Sequence, residues 1–100
     1  MEKRRPHYDL QTIKADFATR RAPRMTRTAH DAALALGLTL ADVLAVVQTL
    51  SAAHFYKSMT SLSDSRIWQD VYHVPWAPHL LYLKVTIDDA GYFLLSFKEK

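Results

Sequence analysis

The periodicity of the chain changes once, at Ser51, and that change limits the folds open to it. Before Ser51, apolar residues recur at helical spacing. Leu10, Ile13 and Phe17 fall at i, i+3 and i+7, and Leu40, Val43, Leu44, Val47 and Leu50 form a second stripe. After Ser51 the pattern becomes the two-residue alternation of half-buried strands. In residues 80–87, Leu81, Leu83, Val85 and Ile87 oppose Tyr82, Lys84 and Thr86; in 92–98, Phe93, Leu95 and Phe97 oppose Tyr92, Leu94, Ser96 and Lys98. Helices followed by a run of antiparallel strands define the α+β class. One small domain is expected over residues 1–100, with N-terminal helices packed on one face of a C-terminal, mainly antiparallel sheet.

Turn and cap residues place the boundaries. Asp9 is expected to cap a helix over Leu10–Thr19, and Pro23 interrupts the chain before a short extended piece at Arg24-Met25-Thr26. Thr28 with Asp31 forms a capping-box-like pair for a second helix that ends at Gly37, and Thr39 with Asp42 opens a third. Strands are expected over 55–62, 66–73, 80–87 and 92–98. Ser63-Asp64-Ser65 and Asp88–Gly91 are turns. Val74–His79 reads as a loop, because two prolines argue against a central strand.

Parity then brings particular side chains together. The apolar sets of the last two strands must meet on the core side, so a register that puts Ile87 opposite Phe93 also puts Tyr82 opposite Lys98. Tyr82, Lys84, Ser96 and Lys98 share the face away from the core. In the first two strands the alternation is ambiguous. Lys57 shares a face with Phe55 and Met59, and Gln69 with Ile67 and Val71, but periodicity alone does not set them beside Tyr82. Taken singly, each strand lysine reads as a solvent-facing residue that discourages edge pairing. A lysine and a tyrosine on one sheet face can also bind and cleave a phosphodiester without a metal.

Charge adds direction. Residues 1–27 carry eight Lys and Arg against three acids, residues 28–56 carry none against Asp31 and Asp42, and residues 57–100 balance five against five. The basic N-terminal third suits a polyanion, or simply a solvated face. A chain without cysteine has neither disulfides nor a zinc–thiolate site. The five histidines, His7, His30, His54, His73 and His79, show no helical ligand spacing, so no metal site is expected. A Gly-rich phosphate loop is missing as well, and no cofactor is expected. The basic start leads into no apolar stretch and no run approaches a membrane span, so a cytoplasmic protein without membrane association is expected.

The strand segments carry a resemblance. Met1-Glu2-Lys3-Arg4 with Pro6-His7, Phe55-Tyr56-Lys57-Ser58-Met59-Thr60, Ser63-Asp64, Ile67-Trp68-Gln69-Asp70-Val71-Tyr72, Tyr82-Leu83-Lys84 and Ser96-Phe97-Lys98-Glu99-Lys100 together resemble the MqsR family. These are ribonuclease toxins of bacterial toxin–antitoxin pairs with a RelE-like fold. The resemblance spans nearly the whole chain and is most specific in the C-terminal half. It departs at His73, where a basic residue tends to follow the tyrosine, and in the proline-rich loop 74–79.

The resemblance implies an mRNA interferase, an endoribonuclease that cuts mRNA and stops translation. It implies catalytic roles for Lys57, Gln69, Tyr82 and Lys98. Lys84, Tyr72, His73 and His7 are the candidate substrate contacts, with Trp68 and Trp76 as further aromatics for base stacking. The expected chemistry is metal-independent attack by the RNA 2′-hydroxyl, leaving a 2′,3′-cyclic phosphate and a 5′-hydroxyl. One lysine would act as base and the other would neutralise the phosphorane, Tyr82 would relay a proton or bind the phosphate, and Gln69 would orient a base or the 2′-hydroxyl. Expected partners are mRNA, the ribosome as a place of action, and a cognate antitoxin that in the resembling family contains zinc and binds DNA. The competing function is a non-catalytic RNA-binding, translation-regulating module. A DNA-binding regulator is disfavoured, because the second and third helices lack any Lys or Arg between 28 and 56.

Overall fold

A computed structural model of the chain describes all 100 residues. Three helices precede four of the five strands: β1 (Glu2–Lys3), α1 (Leu10–Ala18), α2 (Arg27–Leu36), α3 (Leu40–Thr49), β2 (Phe55–Thr60), β3 (Trp68–Trp76), β4 (His79–Ile87) and β5 (Phe93–Glu99). The strands form one antiparallel sheet in the order β1-β2-β3-β4-β5. The expected α+β class and one-sided helix packing are therefore found, and β1 is an addition that the sequence pattern did not signal.

The helices start where the chemistry of the first turn allows. Asp9 accepts from the Thr12 amide, and the Thr39–Asp42 capping box is present in both directions. Gly37 closes α2 at φ 73°, a left-handed conformation that other residues adopt only with strain. The start of α2 differs from expectation. Its cap is Thr26, which accepts from the Ala29 amide, so Thr28 lies inside the first turn and its side chain is free for other use. The reason lies just upstream: residues 24–26 run as an extended piece beside β5, with Met25 bridging Leu95 in parallel, and the helix begins as soon as that pairing ends.

The core lies between the helices and one sheet face. Ile13 and Phe17 of α1, Ala29 and Ala33 of α2, and Val43, Val46 and Val47 of α3 are buried against Tyr72, Val74, Leu81, Leu83, Val85, Leu95 and Phe97 of the sheet. No single helix is long and apolar enough to cross a membrane. Taken together α2 and α3 are apolar enough, but they meet at a bend of 100° and bury their apolar faces in this core.

Two features of the sheet correct the expected strand limits. First, β3 does not stop at His73 but continues through Pro75 to Trp76, pairing Val74 with Leu81, Pro75 with Leu80 and Trp76 with His79 across an Ala77-Pro78 turn. Proline is tolerated because β2 pairs with β3 only as far as Tyr72, which leaves the end of β3 an edge where no partner needs the missing N–H. Second, a bulge interrupts β2 between Phe55 and Lys57. Phe55 faces the core and meets Tyr72 edge to face, so Lys57 does not share its face. Beyond the bulge, Lys57 pairs with Val71 and Met59 with Gln69, on the side away from the helices.

Candidate active site

The open face of the sheet is a grid, and the register fixes its rows. One row runs from Tyr56, in the β2 bulge, through His73 and Tyr82 to Lys98. The next holds Lys57, Val71, Lys84 and Ser96. A third holds Met59 and Gln69, then Thr86 and Leu94, with Glu2 of β1 beside Met59. Tyr82 stands opposite Lys98, the juxtaposition that parity predicted, and the Lys98 ammonium is 5.5 Å from the Tyr82 ring centre.

Lys57, Gln69, Tyr82 and Lys98 thus occupy one face, but they do not converge on a point. Gln69 precedes His73 by four residues, roughly 13 Å along an extended strand. It lies away from the Tyr82–Lys98 pair and lines its own hollow. That hollow, of about 330 Å³, shares Thr28, Lys84 and Ser96 with a second one of about 220 Å³ lined also by Tyr82 and Lys98. The pair of hollows forms a polar trough. Thr28 reaches it because α2 starts two residues earlier than its sequence suggested.

The lysines differ in their surroundings. Lys57 donates to Glu2 at 2.5 Å, and its side chain is only 18% exposed. That bond, first, and the carboxylate charge hold the Lys57 ammonium above the usual lysine range and the Glu2 carboxyl below the usual carboxylate range. Lys84 and Lys98 make no ion pair. Lys100, on the same parity as Lys98, lies near enough to His73 to oppose its protonation. Burial does so more strongly, and the two together lower the His73 pKa below its ordinary value. Nε2 of His73 is buried without a hydrogen-bond partner. His73 accordingly stands as a neutral ring, stacked on Tyr56 with centres 4.4 Å apart and tilted against Tyr82 at 5.4 Å.

Two expected substrate contacts lie elsewhere. Tyr72 is fully buried in the core, on the helix side of the sheet. Its hydroxyl has no partner, and burial, with Asp70 and Asp9 nearby, pushes its pKa up to about 12. His7 is also on the helix side. Its ring stacks on Trp68 at 5.4 Å, and its backbone N–H donates to the buried Asp70 carboxylate, which also accepts from the Tyr8 amide and the Ser58 hydroxyl. Trp68 is covered by His7 and by Lys3, whose ammonium lies 4.3 Å from its ring centre. Much of the basic N-terminal third is likewise spent on structure: Arg20 pairs with Asp16, Arg24 with Asp88, and Lys14 donates to the Leu50 carbonyl.

Sequence reasoning missed Glu2 and Tyr56 as members of this face. Glu2 had no signal, since a two-residue strand has no periodicity. Tyr56 sits next to Lys57, and only a bulge puts consecutive residues on one side.

A small α+β protein with an open sheet face of lysines, tyrosines and a glutamine around a polar trough has the side chains that a polyanion and proton transfer would need. Comparison with known proteins gives that class a family. The family described as "Motility quorum-sensing regulator, toxin of MqsA" matches residues 5–99, and the chain belongs to it. The chain is also 42% identical to the mRNA interferase toxin MqsR of Escherichia coli, over 100 residues that cover 100% of both chains.

Proposed function

We propose that this chain, an endoribonuclease toxin like its relative, cuts mRNA on the open sheet face by metal-independent transesterification. The observation that carries the chemistry is the pairing of Tyr82 with Lys98 beside a lysine that a carboxylate keeps charged. Lys57 is the fixed cation: held protonated by Glu2, it is a poor base and a good partner for the charge that builds on the phosphorane. The proton of the RNA 2′-hydroxyl passes to the Tyr82–Lys98 pair, in the form in which the pair has already released one proton to solvent, as the 2′-oxygen bonds to phosphorus. The bond to the 5′-oxygen breaks, and a proton returned to that oxygen leaves a 5′-hydroxyl and a 2′,3′-cyclic phosphate. Gln69, Lys84, Ser96 and Thr28 line the trough and hold neighbouring nucleotides. A cognate antitoxin, of the zinc-containing, DNA-binding kind, keeps the enzyme inactive in the cytoplasm until it is removed.

The test is purified protein with ribosome-free mRNA in EDTA, alongside Lys98→Ala. Defined cuts with 5′-hydroxyl ends, reduced at least about a hundredfold in the variant, are expected for a lost proton-transfer group. Strict dependence on a divalent cation would sink the chemistry. Binding without cutting, with or without ribosomes, would turn the reading into an RNA-binding module.

A further inference from the structure

We infer that Tyr56 is the stacking platform for a nucleobase of single-stranded RNA beside the cleaved phosphate, and that the bulge in β2 exists to present it. The inference rests on the ribonuclease reading above. In a regular strand, Tyr56 and Lys57 would point to opposite faces. The extra residue between Phe55 and Lys57 re-aims the chain so that both side chains reach the open face, a use of bulges common beside functional sites. The Tyr56 ring is not buried for packing: the residue is 44% exposed. One side of it rests on His73, centres 4.4 Å apart and planes 24° apart, and His73 in turn rests against Tyr82. Three rings therefore form a continuous row across β2, β3 and β4 that ends at Lys98. The Lys57 ammonium lies 5.3 Å from the Tyr56 ring centre. A phosphate held between Lys57 and Tyr82 leaves an attached base beside an exposed aromatic face backed by a rigid neutral ring. Every base has a π-face, so such a platform fixes position with little regard to sequence. Tyr72 is in the core, Trp68 lies beneath His7 and Lys3, Trp76 packs against the core and Tyr92 carries Arg24 over its ring, so Tyr56 is the exposed ring that continues the row from Tyr82 and His73.

The test uses the full chain and an RNA oligonucleotide carrying a 2′-deoxy residue at the mapped cleavage position, so that binding is read without cutting. Abasic residues are walked through the oligonucleotide. The wild type is expected to lose affinity about tenfold at one position next to the cleavage point, the scale of one base–aromatic stack. Tyr56→Leu should lose about tenfold on the intact oligonucleotide and nothing further at that abasic position, while Tyr56→Phe should restore the wild-type pattern. Because no charge is removed, the slope of affinity against salt should stay the same in Tyr56→Leu and fall in Lys98→Ala. Circular dichroism confirms that each variant is folded. A folded Tyr56→Leu that binds as the wild type does, or whose loss adds to that of every abasic position, overturns the inference. Loss of affinity only for an antitoxin would do the same and make the ring a protein contact. A folded wild type that binds no RNA removes the ribonuclease reading itself, a distinct outcome.

Discussion

Glu2 and Lys57 are 55 positions apart in the chain and 2.5 Å apart on the sheet. Each shifts the other toward its charged form, with opposite consequences for pH. Lys57 is held above its ordinary pKa, so its contribution is complete below about 10.5 and is lost as pH rises through the higher folded value. Glu2 is held below its ordinary pKa, so its contribution is complete above about 4.5 and is lost as pH falls through the lower folded value. The Glu2 side chain is exposed and the Lys57 side chain only partly covered, so salt still screens the pair. Its value is in keeping one ammonium charged and aimed. Glu2→Gln should therefore move the alkaline limb of the kcat/KM profile to lower pH and reduce kcat by a few-fold, with KM nearly unchanged. An alkaline limb that stays in place would remove Lys57 from the group that titrates there.

At the scale of elements, the starts and interruptions decide which side chains reach the trough. The cap of α2 gives a sharp comparison. Thr26→Ala should cost about 1 kcal/mol in urea unfolding, the usual loss for a helix N-cap. Thr28→Ala should change stability by less than about 0.5 kcal/mol, as surface changes do, while weakening RNA binding. The sequence alone favoured the opposite result, because Thr28 with Asp31 has the spacing of a capping box and the pairing of Met25 with Leu95 is a tertiary event. The same division runs through the sheet. In β4 and β5 the apolar alternation is clean, so the register of Tyr82 with Lys98 is legible in the sequence. In β2 and β3 it was not. A bulge leaves no mark in the alternation of Phe55, Tyr56 and Lys57, and Asp70 sits among core residues because it serves the backbone of His7 and Tyr8 rather than solvent. Pro75 misled for a related reason: whether a proline ends a strand depends on whether a neighbour needs its N–H, which is a property of the sheet.

For the whole molecule, the distribution of charge in space differs from that along the chain. The sequence places its basic excess in the first third, but several of those residues are tied to acids or carbonyls away from the open face. Besides Lys57, which Glu2 partners, the lysines of the open face are Lys84, Lys98 and Lys100, none of them in an ion pair. Three phosphate contacts on a single strand predict a slope of about −2 for log affinity against log salt concentration. Removing Lys84 should reduce that slope by about 0.7, while Arg20→Ala, just beyond α1, should leave it unchanged. Equal effects of the two substitutions would mean that RNA also runs over the helical side. Tyr72 belongs to this scale too, since its full burial between helices and sheet makes it part of what holds the two layers together.

The order of strands in the sheet is the order of strands in the chain, from β1 to β5. Every pairing from β2 to β5 closes through a short connection: residues 61–67, Ala77-Pro78, and residues 88–92. Such neighbours find one another early in folding, because little chain entropy is lost in bringing them together. The pairing of β1 with β2 is the exception, since all three helices intervene. The lysines are thus set out by pairings local in sequence, and the carboxylate that steadies one of them comes from the far end of the polypeptide, across the one long-range closure between neighbouring strands of the sheet.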